Sequence, residues 1–265
     1  MSSNTFCDAS LYEDCIFTQS NRPGVSSSTS FLSSLFISLT SSSDGGAIYF
    51  SVPSHSLSVE ECIFLNCHVS AGHGGAIYIN SDSNLSITSS SFSSCKSQGY
   101  GGAIFAYLKC NSSVITGSNF FKCKAGHGGG VMTWNGPSSS VSSSRFISCH
   151  AISTGGGVYH DSGYTSSFLT ISDSLFSTCS ANYTTDEFHT RGGGAFEDFR
   201  SFPYTSTYSF LFFDKNVAKK EFGYDISVVY IPITQSSVLH CFTTTSNKSF
   251  RNKDSYVDNW LILIS

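Results

Sequence analysis

Gly74-Gly75-Ala76-Ile77-Tyr78-Ile79, followed by Leu85-Ser86-Ile87 and then Phe92-Ser93-Ser94-Cys95, is one unit of an internal repeat. The glycine pair recurs at Gly45-Gly46, Gly101-Gly102, Gly128-Gly129, Gly155-Gly156 and Gly193-Gly194, with a degenerate copy at Gly223-Tyr224. The steps between pairs are 29, 27, 27, 27, 38 and 30 residues. An independent marker, Phe36, Phe64, Phe92, Phe120, Phe146, Phe176 and Phe213, steps by 28, 28, 28, 26, 30 and 37. Both markers keep one beat and stretch together at the sixth copy. Three residues after the phenylalanine come Cys67, Cys95, Cys123, Cys149 and Cys179, with Leu39 and Asn216 at the two ends. Five residues before it come Phe31, Val59, Ile87, Ile115, Val141, Ile171 and Tyr208, all carrying apolar bodies.

A period of this length identifies a stacked repeat architecture. A helical hairpin repeat would show apolar residues at 3.6 spacing, and none do. The segments are short, rich in Ser, Thr and β-branched residues, and punctuated by glycine, which are strand signals. The reading is therefore all-β: a parallel β-helix of about six to seven rungs, with equivalent strands of successive rungs pairing about 4.8 Å apart. Six rungs and a degenerate seventh give a rod on the order of 30 Å long.

In such a coil each residue sits over its counterpart. Ile48, Ile77, Ile104, Val131 and Val158 should form an inward column. Strand side chains alternate, so Tyr49, Tyr78, Phe105, Met132 and Tyr159 should point outward. Tyr49, Tyr78, Phe105 and Tyr159 are accordingly the candidate contact strip for a glycan or protein partner.

The paired signature Gly-Gly-Ala-Ile and Phe-x-x-Asn resembles the repeats of the polymorphic outer membrane proteins of chlamydial autotransporters. Similar repeats occur in surface proteins of anaerobic protists. The resemblance runs over roughly residues 31–230. Residues 45–48, 74–77 and 101–104 match the first half in full, and Phe213-Asp214-Lys215-Asn216 is the one literal Phe-x-x-Asn. Elsewhere cysteine replaces the asparagine, and Gly130 and Gly157 replace the alanine. The resemblance implies a right-handed parallel β-helix of the pectate-lyase type, a location at the cell surface or outside the cell, and a role in display and adhesion. It brings no catalytic residue.

The chain has 265 residues, a net charge of −4, 12% charged and 40% hydrophobic residues, enough to bury a core in one elongated domain. The low charge argues against a nucleic-acid partner, which calls for a basic face. Residues 1–30 read as a partial rung or cap, because Cys15-Ile16-Phe17 echoes Cys62-Ile63-Phe64. They carry no visible signal peptide. Residues 31–230 hold the repeats. Residues 231–265 lose the beat and read as a C-terminal cap, in which Trp260-Leu261-Ile262-Leu263-Ile264 is too short for a bilayer span of about 20 residues.

Several chemistries can be weighed. Five cysteines in one column suit a ladder of reduced, buried thiols better than bridges, since in-register side chains point the same way. Cys7, Cys15, Cys62, Cys110 and Cys241 lie off that column, and their state is left open. Cys67-His68 and Cys149-His150 cannot chelate, because neighbours on a strand face opposite ways. His73 and His127 stand two rungs apart, too far for shared coordination at about 2 Å. No metal or cofactor is expected. Asn84, Asn111, Asn182 and Asn247 head glycosylation sequons, which matter only in a eukaryotic secretory pathway. The densest polar cluster, Asp186, Glu187, His189, Arg191, Glu197, Asp198 and Arg200, follows the stretched sixth step.

The expected function is a surface-displayed, adhesin-like scaffold without catalysis. The alternative is a polysaccharide lyase or hydrolase using the 186–200 cluster. A third reading is a repeat fragment with no independent role.

Overall fold

The computed structural model describes residues 10–20, 23–108, 112–136, 138–163, 168–182, 193–199, 206–218, 226–229, 237–243, 250–252 and 260–264. Every element among the described residues is a strand, and the pairings between strands are parallel. The chain winds as a coil with three main faces. In one rung these are Ile77–Ser81 on the Gly-Gly face, Asn84–Thr88 on the next, and Ser91–Ser93 on the third. A short fourth edge follows the cysteine, as at His68–Val69 and Lys124–His127.

Like residues meet in register. The inward column of the Gly-Gly face runs Ile48, Ile77, Ile104, Val131, Val158, Phe196 and Ile226, each fully buried. The second face aligns Phe31, Val59, Ile87, Ile115, Val141, Ile171 and Tyr208. On the third face Phe36, Phe64, Phe92, Phe120, Phe146 and Phe176 stack with centroids 4.2–5.0 Å apart and planes within 6° of parallel. Each such side chain contributes roughly 1.5–3 kcal/mol by burial. No rung closes a core alone, so that stability is shared between neighbours.

Three corners bend each rung, and each places one residue in the left-handed region, as at Ser89 (φ 49°), Ser94 (φ 55°) and Gly101 (φ 61°). Two corners tolerate side chains. The Gly-Gly corner does not, for two separate reasons. A Cβ on Gly74 would lie 2.1 Å from the Ile77 carbonyl oxygen, while one on Gly75 would lie 2.0 Å from the Gly102 carbonyl oxygen of the next rung. The first glycine makes the bend and the second admits the neighbouring rung.

A further ladder fixes the corner between the second and third faces. Ser34, Ser90, Ser118, Ser144 and Ser174 are buried there. The Oγ of Ser118 accepts from the Ser90 backbone N–H of the preceding rung at 3.2 Å and donates to the Thr116 carbonyl at 3.0 Å. Ser90, Ser144 and Ser174 repeat the pattern. Two of the cysteines off the main column, Cys15 and Cys62, occupy this same position: the backbone N–H groups of Cys15 and Ser34 donate to Ser34 Oγ and Cys62 Sγ. Cys241 also falls there by register with the Phe213 rung, and is buried. Cys62 and Cys241 are free thiols and Cys15 is disulfide-bonded.

At the N-terminus, Leu11–Glu13 and Ile16–Phe17 pair with the first regular rung, and Phe17 stacks on Phe36 at 4.8 Å. Ile16 and Phe17 thus lie in register with Leu35 and Phe36. Residues 231–265, read as a C-terminal cap, contain described strands. Ser237–Thr243 pairs in parallel with Thr207–Ser209 and Phe212–Asp214, Trp260–Ile264 pairs with Ser237–Thr243, and Phe250–Asn252 pairs with Ile226–Val229. The described strands there extend the ladders. Backbone pairing requires only strand-forming residues in register, so it continues where the Gly-Gly and Phe markers have stopped.

Candidate functional site

The outside of the Gly-Gly face carries three side-by-side columns. The middle one is Tyr49, Tyr78, Phe105, Met132 and Tyr159, followed in register by Glu197. On one side stand His73, Tyr100 and His127, each just before a glycine pair. On the other stand Tyr107, Trp134, Asp161 and Phe199, in register. Alternation sends the middle column away from the core, as expected.

The expected contact strip is nonetheless mostly covered. Tyr49 is 48% exposed, but Tyr78 is 7%, Phe105 3% and Tyr159 2% exposed. The flanking columns are aromatic too, and they lean across. Tyr100 stacks on His73 at 4.6 Å, tilts against Phe105 at 5.6 Å and meets Trp134 edge-on at 6.1 Å. Tyr107 meets Trp134 at 5.4 Å, and His127 packs on Tyr159 at 5.6 Å. The outer surface is therefore a second apolar cluster, separate from the coil's interior. Burial holds the Tyr78 hydroxyl up at about 12, with Asp44 adding to the effect. It also holds His73 below its ordinary value, and the His73 ring nitrogen Nδ1 accepts the Tyr100 N–H at 3.0 Å.

The shelf opens beside Trp134. A slot of about 150 Å³ is lined by Tyr100, His127, Met132, Trp134, Tyr159 and Asp161. Asp161 is fixed at its rim: Oδ1 accepts the Gly163 N–H at 2.8 Å, and Oδ2 accepts the Tyr159 hydroxyl at 3.4 Å. The slot is smaller than a typical drug-sized pocket of ~300–1,000 Å³, and admits one ring of a longer ligand. Of its lining, the contact strip named only Tyr159. Tyr100 and Trp134 were missed because alternation gives a side chain's direction and not what covers it. A signal existed: the aromatic residues at the position before Gly101 and at the fourth strand position of successive rungs, Tyr107 and Trp134.

The 186–200 cluster divides. Asp186, Glu187, His189, Arg191 and Arg200 lie outside the described residues. Glu197 and Asp198 are fully buried and, as strand neighbours, face opposite ways. Asp198 points into the coil, where its Oδ2 accepts the Tyr208 hydroxyl. In the same inward column His160 Nδ1 and Thr133 Oγ1 are 2.8 Å apart. The cluster's two described carboxylates therefore do not converge on a common cleft.

The five column cysteines are free and fully buried. Each Sγ lies over the phenylalanine carbonyl of the rung before, from 3.9 Å at Cys67 to 3.3 Å at Cys179. Asn216 shows what the position does. Its Nδ2 donates to the Phe176 carbonyl at 3.0 Å, and its Oδ1 accepts the Cys179 N–H at 2.9 Å. The cysteines supply weaker, sulfur versions of both: the thiols of Cys95, Cys123 and Cys149 are also approached by the backbone N–H of the column cysteine one rung before. Burial raises the Cys95, Cys123 and Cys149 thiols well above their usual range, and Cys62 to about 11, so they are poor nucleophiles.

Among the described residues no group of three His, Cys, Asp or Glu side chains is placed to hold a metal. Tyr100 stands between His73 and His127 and fills the space a shared ion would need. His68 and His150 leave their strands on the opposite side from Cys67 and Cys149. Of the sequon asparagines, Asn84 and Asn182 are exposed, while Asn111 and Asn247 lie outside the described residues. Among the described residues no helix is long and apolar enough to cross a membrane.

Stacked parallel rungs with an aromatic outer shelf define a β-solenoid protein. A family model described as a right-handed β-helix region matches residues 54–197, just over half of the chain, and the chain belongs to that family. Neither curated proteins nor solved structures give a match.

Proposed function

We propose that the protein is a non-catalytic, adhesin-like β-helix scaffold, at a cell surface or outside the cell, and that its contact surface is the aromatic shelf around Trp134. The observation that carries this reading is the second apolar cluster on the outside of the Gly-Gly face. A rod needs an apolar interior; nothing in its folding asks for Tyr100, Tyr107 and Trp134 to be assembled on its exterior. Rings of this kind are a suitable floor for a sugar ring or for an aromatic anchor of a protein partner. Asp161 adds an acceptor at the slot, which a ligand hydroxyl can reach.

The test is binding of the purified protein to a panel of cell-surface glycans and to intact cells. The double variant Tyr100→Ala, Trp134→Ala should lose binding while keeping a cooperative melt. Unchanged binding by that variant would remove the shelf from the account. The non-catalytic part is checked by incubating the protein with a broad set of polysaccharides. No new chain ends should form; cleavage abolished by Glu197→Gln would establish the enzyme instead.

A further inference from the structure

Residues 83–160 contain five lysines and arginines and no aspartate or glutamate. The whole chain has 14 of the former and 18 of the latter. The middle rungs therefore carry +5, and the remainder, with nine cations against 18 anions, carries −9. A net charge of −4 conceals this segregation.

The structure gathers part of the positive charge into a line. His68, Lys96, Lys124 and His150 each follow a column cysteine, and they pair rung to rung. The cysteines point in, so these side chains point out. Lys96 and Lys124 are exposed, and His68 and His150 are half-buried. Lys122 is exposed at the adjoining corner, over the Phe121 ring at 4.8 Å. Among the described residues neither Lys96 nor Lys124 makes an ion pair. His150 Nδ1 lies 2.8 Å from Ser180 Oγ, and burial, then Lys124, holds its ring below the usual imidazole range.

We infer that this edge of the rod binds a short anionic glycan, its carboxylate or sulfate groups lying along His68, Lys96, Lys124 and His150. Lysines rooted on backbone positions one rung apart, about 4.8 Å, concentrate positive charge that an anion lying between them relieves. Four groups in line suit a linear chain whose charges recur at a similar interval. The row covers three rung steps, about 14 Å, and the acidic remainder of the protein limits any longer contact. A nucleic acid, which typically engages about 6–10 phosphates, needs a wider basic surface than this one. Lys124 shares the strand Lys124–His127 with one residue of the aromatic shelf, but the two sites use different side chains, so the lysine and the Tyr100, Trp134 variants test them separately.

The experiment is titration of the intact protein at about 20 mM and about 150 mM salt. The probes are a heparin-derived tetrasaccharide, tetragalacturonate, neutral cellotetraose and a short single-stranded DNA. The two anionic sugars should bind at low salt and weaken at high salt, and cellotetraose should not bind to this edge. Binding of the heparin fragment alone would assign sulfate as the recognised group; binding of both would assign any carboxylate or sulfate. Lys96→Ser with Lys124→Ser should weaken binding at least about tenfold, while Lys215→Ser, an exposed lysine outside the row, should not. Three results would overturn the inference: unchanged binding by the double variant, tighter binding of DNA than of either anionic sugar, or no anionic binding at low salt. A salt-sensitive dimer abolished by the same double variant, without sugar binding, would give the row to a second copy of the chain and also overturn it.

Discussion

Two sets of aromatic rings in this protein are built in opposite ways. Inside the coil, Phe36 to Phe176 repeat one residue at one position, and their planes stay within 6° of parallel. Outside the Gly-Gly face, Tyr100, Phe105, Trp134, Tyr107 and Tyr159 are mixed in type and come from different columns. Their contacts with one another and with His127 are tilted or edge-on, at 36–81°. The inner set is what a repeat produces when nothing but rung closure is selected. The outer set begins as a regular stack, Tyr49 on Tyr78 at 5.3 Å and 4°, and departs from the repeat from Tyr100 onward, where rung closure does not account for the mixture.

The largest effects should come from the inner architecture. Gly75→Ala places a Cβ against the Gly102 carbonyl oxygen of the next rung, an atom with no freedom to move aside. The variant should fail to form a cooperative coil, as judged by a lost thermal transition. Phe92→Ala, in the middle of the stack, should cost about 3–5 kcal/mol in a urea titration. Trp134→Ala should cost no more than about 1–2 kcal/mol, since its ring is half-exposed and its neighbours can settle. An outer substitution as costly as the inner one would mean that the shelf is structural cladding.

Smaller effects sharpen the same contrast. Alkylation of the native protein at pH 8 should leave the column thiols and Cys62 unmodified, because burial keeps the latter's pKa near 11. Mass spectrometry after denaturation should show them all reactive. Cys95→Asn should be neutral or stabilise by up to about 1 kcal/mol, since Asn216 makes two bonds of ordinary length at the equivalent position, where the Cys95 thiol makes only long sulfur contacts of 3.7 Å to the Phe64 and Ser93 carbonyls. A loss above that size would mean that the column needs small apolar side chains and not the carbonyl contact.

The inner columns were legible because three markers with different chemistry kept one beat. The serine ladder was hidden by composition: Ser90, Ser118 and Ser144 are indistinguishable from the exposed serines around them until the corner is seen. The covering of Tyr78 and Tyr159 was hidden for another reason. Period-two alternation fixes the side of the sheet and carries no information about whether Tyr100 or Trp134 leans across it. The continuation at Ser237–Thr243 escaped because Thr243 stands in register with the marker Phe213 and no glycine pair accompanies that strand. The polar inward stretch Thr133, His160 and Asp198 broke the apolar pattern at a position where only the first inward residue of each strand had been followed.

The most direct test of the functional account is paired: glycan-panel and cell binding, and thermal melting, for the native chain and the Tyr100→Ala, Trp134→Ala variant. The account predicts that binding disappears while the melt stays cooperative and shifts by only a few degrees, about 2–4 °C per kcal/mol for a domain of this size. Binding that survives the loss of both rings would contradict it.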